Sequence, residues 1–524
     1  MPDVFVLFHA RGSYNKIMKN KVIVSASLVT GLSVAERFLG FLYRIVLSRL
    51  LGAEGLGLYQ IALSLFGVFA VVGSGGIPIT VSRMISKSKA ENDTPSERRA
   101  VSAGIVACLL LTLPFCLVLG LFGGKFSFLF SDGRAFSVFR ILLLGLTFSS
   151  VYAVIRGHFW GNKQFFAPSI MEIAEESVMV IAGVLLLRRV PSPLVGAQKA
   201  AWSVVLSYLF SFTASLVYFL IKGGKLAKPK GALKPLITSA LPITSVRASG
   251  SLVNSAVAIL LPIMLMRAGA DSSTAMKLFG VVSGMVLPVL FIPSTIIGSI
   301  ALVLVPELSE DYYRGNTERL QVNLERGLRF SVLVACVLIP FFFALGGDVG
   351  RLAFSNPLAG EMIRKGCLML LPMSLTMIST SMLNSMGFEK QTFLFFFFGA
   401  AALLLSILIL PKFCGAYAFI IGLSASYVVT AACNLSFLHK KGFLSAKDEK
   451  TTSHPLLIPL FAILPFSALG LLCNRLFKLF LGEFFAVFIT AITLTLATTT
   501  LYFVLGYIPL KRIRFHRKAK RQKL

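Results

Sequence analysis

Charge is scarce in this sequence. Only 14% of its 524 residues are charged, about half the share of a soluble domain. Acid is scarcer still, with 22 Asp and Glu against 51 Lys and Arg, for a net charge of +29. The five histidines form no HExxH or comparable spacing, and none of the seven cysteines forms a CxxC. Nothing here supports a zinc centre or a disulfide framework, and the cysteines read as small buried hydrophobes. There is no Walker motif and no acidic metal-binding motif, so no catalytic residue and no cofactor is expected. The apolar run Val4 to Phe8 is too short for a signal peptide, and no small-residue cleavage site follows it. Residues 1–17 read as a short cytoplasmic arm or as an extension ahead of a start at Met18.

What is present is apolar. Hydrophobic residues make up 56% of the chain, and the mean hydropathy is +0.82. A disordered chain is polar, and a soluble chain of this size would leave much of this surface exposed. The remaining class is an all-α polytopic membrane protein. A spanning helix needs about 20 apolar residues. Apolar runs between polar punctuation give fourteen transmembrane helices: 22–48, 55–82, 100–122, 136–157, 165–187, 195–221, 236–266, 278–305, 328–347, 362–386, 392–411, 415–438, 455–474 and 484–509. Gly73 to Pro78 and Pro288 to Pro293 fall inside runs and read as kinks or broken helices, because neighbouring helices can satisfy the freed backbone groups.

The basic excess then reads as orientation. With both termini cytoplasmic, and with Arg156, Arg329, Arg364 and Lys365 at span ends counted with the adjoining loops, 33 basic residues fall inside and 13 outside, and Arg37, Arg44, Arg140, Lys199 and Arg247 count within spans. The tail KRIRFHRKAKRQKL is expected to lie against anionic phospholipids rather than nucleic acid.

The chain also repeats itself. Val106-Ala107-Cys108 matches Val334-Ala335-Cys336 at an offset of 228, and each is followed by a proline, Pro114 and Pro340. Lys163-Gln164 and Phe166 match Lys390-Gln391 and Phe393 at an offset of 227. The expected organisation is an arm (1–21), an N-lobe of spans 1–6 (22–222), a basic linker (223–235) and a C-lobe of spans 7–12 (236–440). A cytoplasmic loop (441–454), two appended helices (455–509) and a basic tail (510–524) follow. A six-helix unit keeps its orientation, so the two lobes form a parallel repeat. Such proteins move substrate through a cavity between lobes.

Ionisable groups at bilayer depth are costly and point to function. Arg140 and Lys199 sit near span ends, where they can snorkel. Arg37 and Arg44 are two helical turns apart on one face. Arg83 closes span 2, and Arg247 lies a third of the way into span 7. Spans 1 and 7 are equivalent helices of the two lobes, so these cations are expected to face a common cleft. A cationic cavity suits a phosphate-bearing headgroup, since guanidinium forks match phosphate oxygens. The alternative is internal pairing with Glu36 and with Glu172, Glu175 and Glu176. Those last three share one face of span 5 at i, i+3 and i+4. Three adjacent carboxylates in low dielectric need protons, a sodium ion or cationic partners. They therefore read either as an H+ or Na+ coupling site or as charge balance for the arginines.

Three stretches carry a family likeness: Arg37 to Phe41 running on through Arg49 to Tyr59, Gly76-Ile-Pro78 to Arg83, and Ile155-Arg156-Gly157 to Gln164. They resemble the polysaccharide-transporter branch of the MOP (multidrug/oligosaccharidyl-lipid/polysaccharide) flippase superfamily. Within it they are closest to the stage V sporulation protein B type, which is related to MurJ-type lipid II flippases. The resemblance implies a multi-pass flippase of the bacterial cytoplasmic membrane, taken as a monomer. Its cargo would be an undecaprenyl-pyrophosphate-linked saccharide, with lipid II leading. The family's span-1 arginine carries over to Arg37. A second family arginine falls where this chain has Tyr43, next to Arg44. A multidrug exporter of the same superfamily would want the span-5 carboxylates but few arginines. A membrane glycosyltransferase or polymerase would want an acidic metal motif or a large external loop, and neither is present.

Overall fold

The computed structural model describes residues 3–121, 125, 130–444, 457–505 and 507, with side chains described from 29 onward except at 30, 302, 303 and 457. The basic tail 510–524 and residues 445–454 of the 441–454 loop lie outside the described residues. Of the arm 1–21, only helical backbone is described.

Among the described residues every regular element is a helix. In order they are α1 (Asp3–Ser74), α2 (Ile77–Ala90), α3 (Thr94–Leu121), α4 (Arg134–Gly161), α5 (Phe166–Leu186) and α6 (Pro193–Ile221). Then come α7 (Leu233–Arg267), α8 (Ser272–Gly280), α9 (Leu287–Leu290), α10 (Ile292–Tyr313), α11 (Thr317–Phe354) and α12 (Pro357–Gly366). The series ends with α13 (Leu370–Ser385), α14 (Glu389–Ile409), α15 (Pro411–Cys414), α16 (Tyr417–Lys440), α17 (Leu457–Phe480) and α18 (Glu483–Val504).

Thirteen helical stretches among the described residues are long and apolar enough to cross a membrane. Three places reconcile this number with fourteen spans. Spans 1 and 2 join into one stretch, because α1 runs through Gly52 with only a local break (φ 66°, ψ 177°). That left-handed φ is cheap only for glycine. Span 5 drops out because α5 carries three glutamates, although its 21 residues reach about 31 Å, the hydrocarbon thickness. Span 8 divides at Phe291, where α9 ends and Pro293 opens α10. The kink expected over Gly73 to Pro78 is a full break between α1 and α2, with Pro78 in the first turn of α2. Pro193 and Pro357 likewise start α6 and α12 behind the capping side chains of Ser192 and Asn356.

The chain divides into two compact units, Met1–Met285 with Pro411–Ala416, and Val286–Leu410 with Tyr417–Leu524. Helices α7 and α8, which the repeat assigns to the second lobe, fall in the first unit. That unit has a core of Ile77, Val81 and Ile85 from α2, Ala103, Ala107 and Cys108 from α3, and Val154, Ile155 and Phe159 from α4, reached by Leu236 of α7. One end of it is clamped by polar groups. Arg134, opening α4, bonds Glu54 of α1 at 2.9 Å and Asp132 at 2.7 Å. The α8 hydroxyls close the clamp, with Ser273 donating to Glu54 at 2.7 Å and Ser272 to Asp132 at 3.1 Å.

The second unit has separate clusters. One joins Ile297 and Leu308 of α10, Leu320 and Leu324 of α11, Ile378 and Met382 of α13, and Leu438 of α16. Another packs Cys336 of α11 against Ala462 of α17 and Tyr502 of α18. The two last helices are pinned by the buried Asp348 of α11. It accepts hydrogen bonds from Asn474 at 2.5 Å and Lys478 at 2.6 Å, both on α17, and pairs with Arg351. Arg351 reaches Glu483 of α18 at 3.0 Å.

Candidate functional site

The first unit holds a polar cluster among α1, α4, α5 and α6. The helical period puts Glu172, Glu175 and Glu176 on one face of α5. Each meets different surroundings. Glu172 pairs with Arg156 of α4 at 2.7 Å, with both side chains about one quarter exposed. Glu175 faces Ser211 and Tyr208 of α6, and its Oε2 is buried without a hydrogen-bond partner. Glu176 lies against α1. Its Oε1 is 2.8 Å from where a Cβ on Gly40 would stand, and its charge acts on Glu36 and Arg44. Glu36 in turn faces Glu172, Arg156 and Arg37.

Aromatic hydroxyls surround the carboxylates. Tyr43 is buried and shares a 2.7 Å hydrogen bond with Ser203 of α6. Tyr59 and Tyr208 are buried close by. The guanidinium of Arg156 lies over Trp160 at 5.0 Å and over Tyr152 at 5.6 Å. Its Nε and the Tyr152 hydroxyl are buried without a partner. Buried polar atoms left unpaired are rare in native proteins and call for an explanation.

Of the residues singled out in the sequence, Glu36, Arg44, Glu172, Glu175 and Glu176 come together here, with Arg37 beside Glu36. Both Arg37 and Arg44 are exposed and make no hydrogen bond or ion pair among the described residues. Arg83 is exposed on α2. Arg247 sits at the break between α1 and α2, where it donates to the Gly75 carbonyl at 3.0 Å. One turn away, Thr244 accepts from the Gly76 amide at 3.0 Å. A Cβ on Gly76 would come within 2.3 Å of the Ala240 carbonyl oxygen, so α7 packs directly on the broken backbone. Neither Arg83 nor Arg247 touches the acidic cluster among the described residues.

Arg156 is the member that the sequence reading missed. It falls inside the span limits 136–157, yet counts there with the loop that follows. Its place in a bilayer-depth helix, sixteen residues before Glu172, was the available signal. No group of three or more His, Cys, Asp or Glu among the described residues is arranged to hold a metal ion. The cluster therefore offers isolated carboxylates with cationic and hydroxyl neighbours rather than a ligand cage.

Comparisons with known proteins fit this architecture. A family model described as polysaccharide biosynthesis protein matches residues 23–311. Stage V sporulation protein B of Bacillus subtilis (strain 168) is 25% identical over 357 residues, which cover 66% of this chain and 67% of the relative. The solved structure of the lipid II flippase MurJ in an inward closed conformation matches with a TM-score of 0.69 at 15% identity, covering 91% of this chain and 99% of that one. An inward-facing multidrug resistance MATE family transporter of the MOP superfamily matches with a TM-score of 0.64 at 15% identity, covering 80% and 96%. At those identities the two structural likenesses speak for the fold.

Proposed function

The chain belongs to the polysaccharide biosynthesis protein family, and from that premise we propose that it is a flippase rather than an enzyme. Its cargo is an undecaprenyl-pyrophosphate-linked saccharide, either lipid II or a related wall or polysaccharide precursor. It turns that cargo across the bacterial cytoplasmic membrane by alternating access, with both termini on the cytoplasmic side.

The observation that carries this reading is the pair Arg37 and Arg44. Both are exposed and make no hydrogen bond or ion pair among the described residues, with Glu36 and Glu176 near enough to act on them through charge alone. They stand on one face of α1, about 10 Å apart along its axis. Exposed guanidiniums at membrane depth whose donors make no bond to protein suit pyrophosphate oxygens, and their spacing along one face lets a headgroup pass from one to the other. Arg83 and Arg247 complete the proposed cationic set, and the basic tail lies on anionic headgroups.

Coupling belongs to Glu36, Glu172, Glu175 and Glu176. Four carboxylates face Arg37, Arg44 and Arg156, which leaves one negative charge for a cation. Their scatter suits a proton better than a sodium ion, which needs several oxygens around one point.

The test is translocation of a lipid-pyrophosphate by the purified chain in liposomes. Arg37→Ala and Arg44→Ala should each slow it about tenfold or more, the worth of one charge-assisted contact. Wild-type rates in both would overturn the assignment. A second reading, a cation-coupled multidrug exporter, is favoured only by the acidic cluster. Altered sensitivity of a deletion strain to cationic drugs, with normal lipid translocation, would support it instead.

A further inference from the structure

One more cation stands without a partner. Arg140 of α4 is exposed and makes no hydrogen bond or ion pair among the described residues. It borders an open groove of about 430 Å³ formed by α3, α4 and α6, whose lining includes Cys116, Ser137, Ile141, Leu144 and Gln198. The carboxylates at this end of α4 are already engaged, since Glu54 and Asp132 serve Arg134, Ser272 and Ser273. The neighbouring segment 122–129 contains no acid.

Depth and shape define what fits. Arg140 is six residues into α4, about 9 Å from its first residue. The helix has 28 residues, so it exceeds the hydrocarbon core by about 12 Å in all. The guanidinium therefore sits at the boundary between headgroups and acyl chains. One turn deeper on the same face is Leu144, 54% exposed, and Ile141 and Leu143 extend the apolar lining. Gln198 donates to Ser137 at 3.0 Å, one turn nearer the helix start than Arg140. At the same end, Lys199 donates to the Arg189 carbonyl at 2.6 Å, and with Arg188 it adds positive potential. Such a cation without a counter-charge, above an apolar wall, is complementary to an amphiphile with a phosphate at its head.

We propose that this groove is a binding site for a phospholipid of net negative charge, with its phosphate on Arg140 and an acyl chain along Leu144. The proposal concerns a resident lipid of the leaflet next to the α4 N-terminus and does not depend on the identity of the cargo.

Native mass spectrometry of the full chain, released from nanodiscs of equal phosphatidylglycerol and phosphatidylcholine, reads it directly. Wild type should retain a phosphatidylglycerol molecule about fivefold over phosphatidylcholine, whose choline cation offsets its phosphate. Arg140→Gln should lose that one adduct, while other anionic-lipid adducts persist. Arg140→Lys should keep part of it. Leu144→Trp leaves the charge and fills the wall, so it should also lose the adduct and carries the test if Arg140→Gln does not fold. An unchanged adduct count in both Arg140→Gln and Leu144→Trp would overturn the site. Displacement of the phosphatidylglycerol by an equal amount of polyprenyl diphosphate would overturn it too, since the groove would then be a cargo site. Loss of the adduct with inorganic phosphate alone would show an anion contact without a lipid site and would equally overturn it.

Discussion

Arg156 is held on three sides, by the Glu172 carboxylate at 2.7 Å and by the faces of Trp160 and Tyr152. A lysine keeps the charge but loses the planar fork that fits both the carboxylate and the rings. Arg156→Lys is therefore expected to lower translocation in liposomes about tenfold, and Arg156→Gln further, because it leaves Glu172 without its cation. Equal rates in both variants and wild type would remove Arg156 from the cluster's function. A different group lends itself to pH. Burial pushes the Asp132 carboxyl up, but hydrogen bonds from the Arg134 side chain and backbone, joined by Ser272, outweigh it and hold the group below its ordinary value of 3.8. A depressed folded value means stabilisation that is complete above the unfolded value and lost as the pH falls through the folded one. The melting-temperature gap between wild type and Asp132→Asn should stay constant above about pH 5 and close below about pH 4. A gap that widens toward low pH would contradict the clamp. The α5 face was legible in the sequence because it needs only the helical period. The partners of those residues were not, since Arg156 to Glu172 and Arg247 to Gly75 depend on which helices pack together.

At the level of helices, most spans could be read from apolar runs, and the differences arise where backbone geometry decides. Gly52 takes a left-handed conformation within α1, so two spans are joined without a loop. The backbone at Gly75 and Gly76 is open, and α7 supplies the missing hydrogen bonds through Arg247 and Thr244. Nothing in the local pattern of spans 1 and 2 shows that a residue about 170 positions away would cap them. The attachment of α17 and α18 was equally hidden. Asp348 is one acid in an apolar run, and only packing brings Asn474 and Lys478 to it. Removing that charge leaves Arg351 and Lys478 with Glu483 alone. Asp348→Asn is expected to cost about 1–3 kcal/mol, the penalty for a buried polar group that loses charged partners. The loss should be local, so hydrogen exchange should accelerate in α17 and α18 while α3 and α4 keep wild-type protection. Uniform acceleration along the chain, or none, would rule out a local anchor.

Across the whole molecule the unusual quantity is the scarcity of acid. Of 22 Asp and Glu in 524 residues, four gather around α1 and α5 within one unit, facing three arginines. Carboxylates are costly at bilayer depth, so concentrating four of them there points to a role beyond the ion pair of Glu172 with Arg156. The proposed coupling role supplies it through binding and release of one cation, since four carboxylates against three arginines leave one negative charge in excess when every group is ionised. The member best placed to carry that cation is Glu175, whose Oε2 is buried and unpaired, while Glu172 is held in an ion pair with Arg156. If it carries a proton, Glu175→Gln imitates the protonated state permanently. The variant should still translocate a lipid-pyrophosphate down its concentration gradient, yet lose any acceleration that an imposed pH gradient gives wild type. Imposed sodium gradients should leave both proteins unaffected, because the carboxylates do not group around one point among the described residues. Acceleration of Glu175→Gln by a pH gradient to the wild-type extent would move coupling away from this residue, and acceleration of wild type by sodium alone would exclude the proton.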